Sequence, residues 1–183
     1  MRTVVLSASL IAFSVACGYA KLLLFPYLFF VELFTVAVFL SGLLMRSAWG
    51  AWIGAVARLV FSVANPYGPP HPWILIAQVV ASAGVGALGG VLRPWLLSAG
   101  DGPESSRRRV AVLIAAGFAG TLLYDLLTNV AQGIAFGSVP ATLALAALPA
   151  AQHIGSNVAI FAVAGNLSIP WLLRHPVASR HVV

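Results

Sequence analysis

From Thr3 to Leu24 the chain carries one charge, Lys21, in an otherwise apolar run, and runs of this kind recur along most of its length. A helix needs about 20 apolar residues to cross the hydrocarbon core of a bilayer, and every backbone polar group inside that core must be bonded internally. Such runs predict one kind of fold, an all-α bundle of membrane-spanning helices. The 183 residues are 61% hydrophobic and 8% charged, with a mean hydropathy of +0.99. A single domain over residues 1–183 with six transmembrane helices therefore uses up the chain and leaves no room for a soluble catalytic domain.

The first span is expected over about Thr3–Leu24, ending at the interfacial group Lys21, Pro26 and Tyr27. A cleaved signal or a lipoprotein signal around Cys17 is the alternative for this run. Ser14 stands where a lipoprotein signal usually carries an aliphatic residue, and Ala20-Lys21 leads into more apolar sequence, so a retained helix is expected. The second span is expected over about Tyr27–Met45, and the third from SAWGAWIGA, with its Gly50/Gly54 pair, to Asn65. The prolines and glycine of ANPYGPPHP make residues 64–72 a loop.

The fourth span is expected from Trp73 to about Leu92, with a second GxxxG pair at Gly86 and Gly90, and residues 95–109 read as a hydrophilic linker. The fifth runs from Val110 to about Ala135. The stretch from Gly137 to Pro149 reads as a partly inserted loop or as an early start of the last helix. The favoured reading places the sixth helix at about Pro149–Leu173.

With six spans both termini lie on one side. That side collects Arg2, Arg46, Arg93, Arg107, Arg108, Arg109, Arg174 and Arg180, and the other collects Lys21, so the termini are expected to be cytoplasmic in a multi-pass cell-membrane protein. The net charge of +6 follows from this placement and not from a nucleic-acid site, which would need a basic face with interleaved aromatics. Cys17, the single cysteine, excludes an internal disulfide and any cysteine-based zinc site.

Charges inside a bilayer cost several kcal/mol each unless they pair or face water, so Glu32, Arg58 and Asp125 need a reason. Counted from the span ends at 1.5 Å per residue, Glu32 lies about 9 Å below the outer surface. Arg58 and Asp125 lie roughly 18 Å and 24 Å above the inner one, so all three fall in the outer half. In TLLYDLLTNVAQ, Asp125, Asn129 and Gln132 line one helix face with Thr121 a turn below, and Tyr124 adjoins them. Gln78 enters on the fourth helix, and Gln152, His153 and Asn157 on the sixth. The expected arrangement is a cavity open to the outside and plugged toward the cytoplasm.

Two readings stand for several of these residues. Glu32 with Arg58 is either a buried ion pair that fixes packing or part of a ligand site. His153 and Asn157 are either interhelical hydrogen-bonding groups or ligand contacts. Asn65, Tyr67 and His71 form a lid or a solvated loop. Asp125 with Asn129 is read as ligand-facing, and the GxxxG pairs are read as packing features. No metal site and no cofactor are expected.

Ala8, Ala12, Ala16 and Ala20 recur every fourth residue and fall on one helix face. In lipid, such a small-residue strip lets a second backbone approach closely. With this strip, the small-residue third helix GAWIGAVARL and the LYDLLTN stretch, the sequence resembles the S components of energy-coupling factor transporters, of the vitamin-related type. That family's alanine-x-x-x-alanine signature is similar to Ala8 with Ala12 here.

The resemblance implies a six-helix subunit that captures a vitamin or related micronutrient in an outward-facing pocket. It then docks through its first helix on a transmembrane coupling subunit that works with two ATPase subunits. It also implies that a metal substrate is absent here, because the metal-transporting members carry an amino-terminal histidine and this chain begins Met1-Arg2-Thr3. Ligand contact is thus expected at Glu32, Arg58, Asn65, Gln78, Tyr124, Asp125, Asn129, Gln132, His153 and Asn157, and partner contact at Ala8, Ala12, Ala16 and Ala20. The competing readings are a structural scaffold and an intramembrane enzyme using Asp125 and His153. No nucleophile elbow, paired aspartates or HExxH supports the enzyme, so no catalytic residues are expected.

Overall fold

The computed structural model describes residues 2–24, 32–97 and 102–174, and within them the chain is helical, with no strand. The elements are α1 (Arg2–Leu24), α2 (Leu33–Met45), α3 (Ser47–Val63), α4 (Pro72–Leu97), α5 (Pro103–Phe136) and α6 (Val139–Ile160). A π-helical segment, Phe161–Gly165, then runs on into α7 (Asn166–Arg174). Four helical stretches are long and apolar enough to cross a membrane: Arg2–Leu23, Pro72–Leu97, Glu104–Phe136 and Val139–Leu172. The helices α2 and α3 are apolar but shorter, at 13 and 17 residues. The expected start of the second span, from Tyr27, lies outside the described residues.

Two boundaries differ from expectation, each for a local reason. The last helix begins at Val139 and not near Pro149. Gly137 ends α5 in the left-handed conformation (φ 97°), and the Ser138 hydroxyl accepts a hydrogen bond from the Ala141 amide at 3.3 Å. Pro140 then sits in the first turn, where a proline costs no helical bond. The residues read as a loop-like Gly/Pro-rich connection are thus a helix stop followed at once by a helix start.

The linker expected at 95–109 also contracts, because α4 continues through Arg93 and Pro94 to Leu97 and α5 starts at Pro103. Arg93 does not sit in an aqueous loop. It is buried, and its Nη1 donates to the carbonyls of Leu43 at 3.0 Å and Leu44 at 2.8 Å, satisfying carbonyls that the last turn of α2 leaves open.

The centre of the bundle is α2, whose residues Phe34, Val36, Val38, Phe39 and Leu43 are buried on nearly all sides. It packs on α1, α3 and α4, while α4 also packs on α3 and α5, and α5 on α6. The α2–α3–α4 contact is made backbone to backbone. A Cβ on Gly86 would overlap the Gly50 carbonyl, one on Gly54 the Ser82 carbonyl, and one on Gly89 the Phe39 carbonyl. Only glycine admits such close approach, and the two GxxxG pairs are spent on it.

In contrast, α1 is peripheral. It is fastened near its C-terminal end, where Tyr19 donates to the Ala64 carbonyl at 2.6 Å and Gly18 lies against the Phe61 ring. Ala8, Ala12 and Ala16 are exposed and Ala20 is half-buried. Ala8 and Ala12 border apolar grooves between α1 and α3 that are also lined by Ile11, Trp49, Trp52 and Val60.

Candidate ligand-binding site

The bundle's antiparallel helices bring one end of each together: the end of α1, the start of α2, the end of α3, the start of α4, the end of α5 and the first half of α6. The buried acidic residues, with Arg58 and His153, arrive at this end, while the buried Arg93 and Arg109 lie at the other. Glu32, at the start of α2, lies 3.6 Å from Lys21 Nζ and 4.0 Å from Arg58 Nη2, and its Oε2 accepts from the Thr35 hydroxyl at 2.7 Å. The Arg58 guanidinium stacks over the Phe34 ring, 4.0 Å from its centroid, with Tyr124 at 4.9 Å, and its Nε donates to Ser82 Oγ at 3.0 Å. One turn along both helices, Ser62 donates to Gln78 Oε1 at 2.8 Å. These two bonds tie α3 to α4 with polar groups that would otherwise be stranded in an apolar setting.

His153 on α6 joins the two acidic residues. Its Nδ1 lies 2.8 Å from Asp125 Oδ1, and its Nε2 lies 3.1 Å from Asn157 Nδ2 and 3.7 Å from Glu32 Oε2. Asn157 Nδ2 also donates to Thr121 Oγ1 at 3.0 Å. The short Nδ1 contact with a carboxylate fits an Nδ1–H donor. The Nε2 contact with an amide nitrogen then fits an acceptor, and 3.7 Å to Glu32 is too long for a hydrogen bond. Two buried oxygens at this junction, Asp125 Oδ2 and Asn157 Oδ1, have no hydrogen-bond partner.

Of the residues expected to contact a ligand, Glu32, Arg58, Tyr124, Asp125, His153 and Asn157 form one cluster, and Gln78 borders it through Ser62. Three do not join. Asn65 Oδ1 accepts from the Tyr67 amide at 2.9 Å and shapes the α3–α4 turn. Gln132 is exposed on α5, and Asn129, one turn beyond Asp125, is half-buried. The side chains of Arg58, Asp125, His153 and Glu32 are 5 to 16% exposed and face one another across the space between the helices. Lys21, read from sequence as an interfacial cation, is also a partner of Glu32. Ser82 and Thr35 also join the cluster, and nothing in the sequence announces them, because an isolated hydroxyl in a small-residue or apolar helix carries no periodic signal.

Among the described residues, no group of three or more His, Cys, Asp and Glu side chains is placed to hold a metal ion. What the cluster can do is bind. It offers carboxylate and amide acceptors, a guanidinium held between aromatic rings and a histidine between two acids, all within a low-dielectric bundle where each polar contact counts for more than in water. The chain matches no family model, no curated protein and no solved structure.

Proposed function

We propose that the protein is the substrate-binding subunit of an energy-coupling factor importer, a six-span S component that captures a vitamin-class compound and hands it to a separate coupling subunit with two ATPase subunits. The observation that carries this reading is the convergence of Glu32, Arg58, Tyr124, Asp125, His153 and Asn157, from four different helices, at one end of the bundle. A scaffold does not need buried charges there, and even a paired buried charge is a weak source of stability. The reading is supported further by the alanines exposed on α1 at the two apolar grooves. The arginines at the opposite end, Arg46, Arg93 and Arg107 to Arg109, suit a cytoplasmic face with both termini on it.

The test is the mass of any small molecule that co-purifies with the protein, followed by thermal shift against a broad vitamin panel. The compound found is expected to bind Asp125→Ala about 10- to 100-fold more weakly, the effect of losing a buried charged hydrogen-bond partner. A panel without any shift, together with an empty mass spectrum, removes the reading.

A further inference from the structure

Resting on that reading, we infer that the site takes a ligand presenting hydrogen-bond donors, and specifically a heteroaromatic ring bearing an exocyclic amine beside the ring. The argument is one of satisfaction. Asp125 and Asn157 are at least nine-tenths buried, and both bond the ring of His153, one at each nitrogen. Each is left with one unpartnered atom, Asp125 Oδ2 and Asn157 Oδ1, and both atoms are acceptors.

Both amide hydrogens of Asn157 are already used, on Thr121 Oγ1 and His153 Nε2, so this amide turns only its carbonyl to a newcomer. The two orphan acceptors belong to the two residues that bracket the His153 imidazole. A buried acceptor without a donor costs about 1–3 kcal/mol, so a ligand that supplies N–H groups to both recovers what the empty pairings forfeit. A ligand that brings only carbonyl or carboxylate oxygens to this junction faces acceptors with acceptors. The cations nearby do not soften that demand, because Lys21 and Arg58 are engaged by Glu32 and not by Asp125. Tyr124, half-buried and with its ring meeting His153 edge-on at 6.4 Å between centroids, supplies the aromatic surface that a flat ring would use.

Ring pairs that differ at the amine position test this: guanine against hypoxanthine, in which hydrogen replaces the amine, and pterin against lumazine and cytosine against uracil, in which a carbonyl replaces it and a ring nitrogen gains a hydrogen. Each is titrated into the purified full-length protein and followed by calorimetry and thermal shift, with nicotinate included as an anion poor in donors. At least one amine-bearing member is expected to bind, about 10- to 100-fold more tightly than its amine-free partner, the span given by one unmatched buried acceptor. In Asp125→Asn, which puts an amide where a pure acceptor stood, the preference within that pair is expected to fall to about twofold or less. Asn157→Ser should also narrow the preference. Reading the ratio separates recognition from damage to the fold, since a loss of folded protein lowers both members alike.

Equal or tighter binding of the amine-free member overturns the inference. Binding of nicotinate that Arg58→Gln abolishes, without amine selectivity, overturns it while leaving a binding subunit in place. Silence across the whole panel, with no co-purified compound, removes both.

Discussion

Two small-residue stripes run through this protein, and they end in opposite circumstances. Gly50 and Gly54 on α3 face Gly86 and the Ser82 carbonyl on α4 so closely that no side chain fits between the backbones. Ala8, Ala12 and Ala16 on α1 repeat with the same four-residue spacing and stay exposed. Spacing alone does not distinguish them. What differs is the presence of a matching stripe on a neighbour: α4 offers glycines to α3 and α2, whereas the face of α1 bearing the alanines looks past Trp49 and Trp52. Small residues in a membrane helix thus mark a face able to take a backbone, and the fold decides whether the partner is internal.

Enlarging residues on each stripe breaks this comparison in graded steps. Gly86→Leu should be the most severe, because a side chain there meets the Gly50 carbonyl with nowhere to go; a loss of about 3 kcal/mol or more is expected, seen as loss of the monodisperse peak in detergent. Gly54→Ala adds one methyl group against the Ser82 carbonyl and Val38, and a lowered melting temperature equivalent to about 1–3 kcal/mol is the expected outcome. Ala12→Trp should change stability by less than about 0.5 kcal/mol, as exposed substitutions do, leave ligand binding intact and abolish uptake in cells. If Ala12→Trp instead destabilised the protein as much as Gly54→Ala, the two stripes would be alike and the alanines would serve the fold. A Gln132→Ala change, on the exposed face of α5, should leave binding within about twofold of the parent, which sharpens the boundary of the polar cluster.

The sequence was informative about this molecule where one kind of residue is out of place. A charge in an apolar run has few ways to survive, so Glu32, Arg58 and Asp125 stand out in the sequence, and the structure brings them into one cluster with His153. Residues with a cheap local alternative were less legible. Asn65 satisfies itself two residues away, on the Tyr67 amide, and Gln132 is long enough to reach outward. The start of α6 is harder to read, because prolines and glycines act as breakers in some places and as start signals in others. Pro140, placed directly after the Ser138 cap, belongs to a start signal. Arg93 looked like a terminal charge for a different reason: its role depends on Leu43 and Leu44, a distant helix end that no local pattern announces.

The ion pair between Lys21 and Glu32 has a consequence for α1 itself. Lys21 belongs to the same rigid rod as Ala8, Ala12 and Ala16, and it grips a carboxylate that also faces Arg58 and His153. The azimuth of that rod, and so the compass direction in which the alanines look, is indexed at one end to how Glu32 shares itself between Lys21 and Arg58.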